Sequence, residues 1–149
     1  MITIKNTQRA IPINVNQLKK NIQKLLKITG YEDFDIGLWI TTDKTIRTYN
    51  KKYRHKDKAT TILSFPFHDN LKAGNRIHAK TDDDKNLGDM IISAQSVVKN
   101  APLWSQTFNQ RLQGLIVHGF CHLLGYTHTS EAEETKMLKK ENELIKNVL

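Results

Sequence analysis

Three closely spaced histidines constrain this chain more than any other feature. They stand in the run His118-Gly119-Phe120-Cys121-His122-Leu123-Leu124-Gly125-Tyr126-Thr127-His128. Helical residues turn by about 100° each, so positions i and i+4 share one face, a turn apart. Leu112, Leu115 and Ile116 recur at helical spacing ahead of them, which predicts one helix carrying both His118 and His122. Gly125 predicts the end of that helix, because glycine accepts the left-handed backbone found there. The turn through Tyr126 and Thr127 then returns His128 to the same point. Three neutral imidazoles around one point suit a divalent cation with an open coordination position. The absence of a thiolate favours zinc, while nickel, copper and cobalt also fit. Zinc lowers the pKa of a bound water to about 7, which makes hydroxide available at neutral pH.

The remaining pattern mixes strands and helices without strict alternation and predicts an α+β fold. Ile2 to Lys5 reads as a strand. Asn14 or Asn16 caps a helix to about Ile28, with Val15, Leu18, Ile22, Leu25 and Leu26 on one face and Gly30 at its end. Phe34 to Thr41 alternates as a strand, with Phe34, Ile36, Leu38 and Ile40 inward. Thr42 or Asp43 caps a second helix whose buried side carries Ile46, Tyr49 and Tyr53. Thr61 to Phe65 is a third strand, stopped by Pro66. A polar loop runs from Phe67 to Asn86, followed by a strand from Leu87 to Ile92 and a short helix from Ala94 to Asn100. Pro102 is expected to open the long histidine helix, with Trp104 and Phe108 on its apolar face. Ser130 and Glu133 form a capping box for a last helix with Met137, Leu138, Leu144 and Ile145 as its apolar face. Residues 1–149 contain no repeat or linker and read as a single domain.

Charge is distributed unevenly. Residues 1–60 hold 13 Lys and Arg against 5 Asp and Glu, whereas residues 61–149 hold 10 of each, so the whole net charge of +8 lies in the first part. It is densest at Lys44, Arg47, Lys51, Lys52, Arg54, Lys56 and Lys58. Such a surface attracts phosphate backbones by counterion release, although a lysine-rich solvated face has the same composition. Arg54 leads into a strand, where a planar guanidinium could grip a phosphate bidentately or simply face solvent. No apolar run approaches the roughly 18 residues of a membrane span, and Met1 to Lys5 reads as a strand rather than a signal peptide. The single cysteine, Cys121, excludes an intrachain disulfide and reads as a small core residue. His55, His68 and His78 read as surface loop residues.

The spacing His-x-x-x-His-x-x-Gly-x-x-His matches that of metzincin proteases. Those enzymes place a general-base Glu directly after the first histidine, where this chain has Gly119. The expectation is therefore zincin-like geometry with different chemistry.

Further blocks carry a more specific resemblance: Tyr53-Arg54-x-Lys56-Asp57, Leu63-Ser64-Phe65-Pro66, Leu87-Gly88-Asp89, and Glu133 or Glu134 with Met137 after the last histidine. Together with the histidine run, they make the chain resemble the YbeY family of endoribonucleases. The resemblance implies a zincin-like α+β domain, a small mixed sheet packed with several helices and the metal site on the long helix of the C-terminal half. It implies one Zn2+ held by His118, His122 and His128, a catalytic role for Arg54, and RNA guidance by Lys51, Lys52, Lys56 and Lys58. It also implies metal-dependent cleavage of single-stranded RNA in small-subunit rRNA maturation and ribosome quality control. The implied partners are rRNA and the small ribosomal subunit, with a small-subunit ribosomal protein and a ribosome-assembly GTPase, and no membrane. The implied state is a monomer, cytoplasmic in a bacterium and mitochondrial in a eukaryote. The chain departs from the family pattern at Ala59 and Thr61, where Pro and Asp are usual, and at Thr127, where Asp is frequent. The Phe67–Asn86 loop is longer than in many bacterial members and looks more like organellar ones. Two other classes compete: a non-catalytic ribosome-assembly factor with structural zinc, and a zinc hydrolase acting on peptides or small molecules.

Overall fold

The computed structural model describes residues 1–148. Strands β1 (Ile2–Asn6), β2 (Asp35–Thr41), β3 (Ile62–Pro66) and β4 (Asn86–Ser93) form one sheet in the order β1-β2-β4-β3. The first three in that order are parallel, and β3 closes the edge antiparallel to β4. Helices α1 (Val15–Thr29), α2 (Asp43–Arg54), α3 (Ala94–Asn100), α4 (Phe108–Leu123) and α5 (Glu131–Val148) complete the α+β fold.

The alternation along β2 decides how the two sheet faces are used. Ile36, Leu38 and Ile40 point into the main core, where they meet Leu18, Ile22 and Leu25 of α1 and Leu112, Ile116 and Phe120 of α4. Gly37 and Trp39 point to the other face. There, among the described residues, α2 packs alone, through Ile46 against Leu63 and Ile91. The rest of that face stays open as a groove.

Helix boundaries follow local capping. Asn14 accepts from the Gln17 amide, and Gly30 ends α1 at φ 79°. The histidine helix starts later than its apolar pattern suggests. Pro102 belongs to a separate 3-10 turn, Ala101–Trp104, and Ser105 at φ 53° breaks the chain before Thr107 caps α4 in a full capping box with Gln110. Trp104 is consequently exposed, with the Arg111 guanidinium over its ring, instead of buried. Leu138 and Tyr53 are also exposed, because the apolar stripes of α5 and α2 are narrower than their sequences imply. Phe34 is buried but precedes its strand.

The long 67–86 segment is strapped to the body instead of swinging free. Ile77 is buried and its amide donates to the Tyr31 hydroxyl, while the Arg76 guanidinium covers the Tyr31 ring and donates to the Gly30 carbonyl. Asp82–Asp84 form a 3-10 turn, and the half-buried His68 ring lies 2.8 Å from the Asp84 carbonyl. His55 and His78 are exposed.

Gly125 joins this strap to the site. Its φ is +92°, and an added Cβ would come within 2.4 Å of the Leu71 carbonyl oxygen. Gly125→Ala therefore combines backbone strain with a clash against main chain, and should cost on the order of 2 kcal/mol or more. The check is the urea midpoint, which should fall at an unchanged m-value.

Candidate metal centre and cationic cleft

His118 and His122 lie on the last two turns of α4, half-buried, on the side facing β3. The helix ends in a Schellman arrangement, with the Gly125 amide donating to the His122 carbonyl and the Tyr126 amide to the Cys121 carbonyl. This turns the chain back so that His128, exposed, joins the other two. One ring nitrogen from each histidine lies within 4.8 Å of the others. Among the described residues, no fourth His, Cys, Asp or Glu belongs to the cluster.

The outer ring nitrogens show how the inner ones are prepared. His122 Nδ1 donates to the Tyr126 carbonyl at 2.9 Å, and His118 Nδ1 contacts the Glu141 carboxylate of α5. Both partners are acceptors, so each Nδ1 donates outward and each ring turns its Nε2 inward. Those two Nε2 atoms are 3.1 Å apart. At that distance the pair needs either a shared proton or a cation between the two nitrogens. Two nitrogens on one tetrahedral zinc stand about 3.3 Å apart, so the donor set fits such an ion. Burial, with His118 beside it, pushes His122 down to about 4, which keeps its ring neutral at ordinary pH. Burial pushes the Cys121 thiol up to about 12, so it is a protonated core residue and no ligand.

Glu141 and Glu133 are the residues that sequence reasoning missed or misjudged. Glu141 is far along the chain from His118, and only the packing of α5 on α4 brings it there. Glu133 was expected to close a capping box with Ser130, and half of it forms: the Glu133 amide donates to Ser130 Oγ at 3.2 Å. Its carboxylate instead accepts from the Thr127 and Thr129 hydroxyls, on either side of His128. A carboxylate thus reaches the last histidine's turn from α5, although position 127 itself carries a hydroxyl.

The cluster opens into a cleft of about 490 Å³ lined by Arg54, Lys56, Lys58, Ser64 and the three histidines. Among the described residues, no carboxylate lines it. Arg54, in the last turn of α2, donates from Nη2 to the Ser64 carbonyl at 2.8 Å and lies over the Phe65 ring. These contacts hold the guanidinium at the rim and leave donors for a ligand. His55 in the left-handed conformation ends α2, and the buried Asn50 side chain donates to the Lys58 carbonyl, which folds Lys56 and Lys58 back to the cleft. Lys51 and Lys52 do not line the cleft; Lys52 lies over Tyr53 instead. Ser64 Oγ is buried with no hydrogen-bond partner among the described residues, which leaves a spare hydroxyl at the cleft wall.

Gly119 explains the absence of a zincin-type glutamate. A Cβ there would sit 2.6 Å from Ile62 Cδ1, 2.7 Å from Met90 Sδ and 3.0 Å from Ser64 Oγ. The sheet occupies the space that a side chain would need.

Glu141→Ala should weaken zinc binding by about 10- to 100-fold, and Glu141→Gln by less because its amide oxygen still accepts, as read in a titration against a chromophoric chelator. Between its ordinary 6.5 and about 4, the His122 ring binds a proton in the unfolded chain but not in the folded one. The metal-free protein should therefore lose stability as pH falls through that window, and His122→Gln should flatten the loss, as measured by melting temperature against pH.

The family model described as Endoribonuclease YbeY matches residues 3–149. Endoribonuclease YbeY of Homo sapiens is 37% identical over 144 residues, covering 97% of this chain and 86% of its own. That of Geobacter metallireducens is 36% identical over 146 residues, covering 97% and 93%. The solution structure of TM1509 from Thermotoga maritima shares the fold, with a TM-score of 0.64 at 22% identity over 99% of this chain and 89% of that one. With a match across nearly its whole length and relatives above 30% identity, the chain belongs to the YbeY endoribonuclease family.

Proposed function

We propose that this protein is a zinc-dependent endoribonuclease that cuts single-stranded RNA, with small-subunit rRNA and the small ribosomal subunit as its partners. The observation that carries the reading is the cleft: three convergent imidazoles share it with Arg54, Lys56 and Lys58, and among the described residues no carboxylate lines it. A phosphodiester brings negative charge to such a cleft, and more of it accumulates in the transition state. Peptides gain no comparable advantage, and the general base of a peptide-cutting zincin has no room at Gly119.

His118, His122 and His128 would hold the ion. Bound there, zinc supplies a Lewis acid and acidifies water. The protein's own groups do the rest. Glu141 and the Tyr126 carbonyl hold two of the imidazoles in one tautomer. Arg54, held by the Ser64 carbonyl and the Phe65 ring, clamps the scissile phosphate. Lys56 and Lys58 draw the neighbouring phosphates into the cleft. The same reading extends to ribosome quality control, to contacts with a small-subunit ribosomal protein and an assembly GTPase, and to a monomer acting in a bacterial cytoplasm or a mitochondrion.

The test is cleavage of a labelled single-stranded RNA. Wild type should cut it, a chelator should stop the cut and added zinc should restore it. His122→Ala should lose metal and activity together. Arg54→Ala should keep its zinc but cut about 100- to 1,000-fold more slowly. Full activity in a metal-free His118→Ala/His122→Ala protein would refute the proposal.

A further inference from the structure

The open face of the sheet carries an aromatic row that the metal cleft does not use. Trp39 of β2, Tyr49 and Tyr53 of α2, and Phe65 of β3 touch in succession. Ring centroids are 5.5 Å apart for Trp39–Tyr49, 6.1 Å for the stacked Tyr49–Tyr53 pair and 5.3 Å for Tyr53–Phe65. Three of the four rings have a cation above them: Lys5 over Trp39 and Lys52 over Tyr53, each at 5.1 Å, and Arg54 over Phe65 at 5.2 Å. Among the described residues, none of these cations has a carboxylate within salt-bridge distance. The row walls a groove of about 710 Å³ across β1, β2 and β4.

The groove and the metal cleft meet at Arg54. Its guanidinium covers Phe65, the last ring of the row, and its side chain also lines the cleft. A strand lying in one can therefore continue into the other.

Rings topped by cations that lack a carboxylate partner suit an unpaired nucleic-acid strand, since each cation can swing to a phosphate and yield its ring face to a base. A duplex gains nothing from the rings, because its bases are already stacked. Two carboxylates also line the groove. Asp35 is spent on the terminal amine of Met1 at 2.7 Å. Asp89 lies over Gly37, whose missing side chain makes room for it. It repels phosphate but can accept from the exocyclic amino group of a base.

We infer that this groove is a second RNA subsite, where unpaired bases stack on Tyr53 and its neighbouring rings while Lys5, Lys52 and Arg54 hold the phosphates. That the strand is RNA rests on the endoribonuclease reading; the stacking itself rests on the rings and their cations. The subsite lengthens the footprint beyond the scissile phosphate and selects single strands by what their bases can do.

The experiment uses the whole protein in chelator, so that nothing is cut. A fluorescein-labelled 12-nucleotide single-stranded RNA without self-pairing is titrated by anisotropy, alongside the same strand annealed to its complement. Tyr53 is about half exposed, so Tyr53→Ala should leave the fold intact, as circular dichroism will show. This variant should bind the single strand about 5- to 100-fold more weakly, with Tyr53→Phe restoring affinity and the duplex indifferent to either change. In a Trp104→Phe background, the single strand should quench the fluorescence of Trp39. Unchanged affinity in Tyr53→Ala, or no quenching of Trp39, overturns the inference. Quenching by an arginine-rich peptide and not by RNA, abolished in Asp89→Asn, also overturns it and assigns the groove to a basic polypeptide. Wild-type cleavage by a protein whose rings are indifferent to RNA would sink the subsite alone. Binding through the rings, with no cleavage under any divalent metal, would sink the enzymatic reading alone.

Discussion

The close approach of α4 to the sheet at Gly119 sets the rest of the site. Only a hydrogen fits where Ile62, Met90 and Ser64 press against the helix. That contact lays the histidine helix flat on the antiparallel edge strand β3. His118 and His122, one residue before and three after Gly119, then share a cleft with the strand that Arg54 grips through the Ser64 carbonyl. A bulkier residue would force the Ile62, Met90 and Ser64 side chains out of the positions they hold against α4. Packed interiors do not absorb such a change smoothly.

Around that contact, opposite charges are kept on opposite sides of the imidazoles. The carboxylates come from α5 and act from behind, Glu141 on His118 and Glu133 on the threonines flanking His128. The cations come from α2 and the turn after it and face the cleft. Other acidic residues of this region are already engaged. Asp57 is paired with Arg47 at 2.8 Å, and Asp43 takes hydrogen bonds from Ser93, Ser96 and Lys99. The guanidinium beside Asp57, and the hydroxyls and ammonium around Asp43 against some burial, hold both carboxyls below the usual range. Among the described residues, the cations in the cleft lining therefore have no carboxylate beside them on the open side, which is what a phosphate-binding surface needs.

The sheet serves both of its faces. One face buries the apolar sides of α1 and α4. Among the described residues the other is covered by α2 alone, so its row of rings remains accessible beside lysines without a carboxylate partner. A small sheet with one partly bare face would ordinarily expose apolar area without return. Here the cations above the rings keep that area hydrated, and the row leads to Arg54.

The element order and the histidine helix were legible in the sequence because periodicity, caps and glycines are local signals. The spacing of His118, His122, Gly125 and His128 is enough to predict a helix, its end and a returning ring, since helical geometry and the left-handed freedom of glycine act over a few residues. The start of α4 was misread because Pro102 resembles a first-turn proline, whereas the left-handed Ser105 breaks the chain before Thr107 can cap it. Buried faces were drawn too wide at Tyr53 and Leu138 because sequence shows an apolar residue but not whether another element covers it. Glu141 behind His118, the diversion of Glu133 to two hydroxyls, the strap fastened by Ile77 and Arg76, and the separation of Lys52 from Lys56 were decided only by tertiary structure. Each depends on which helix packs against which strand. The sequence determined the chemistry that could gather at one point, and packing decided which charges stand before it and which behind.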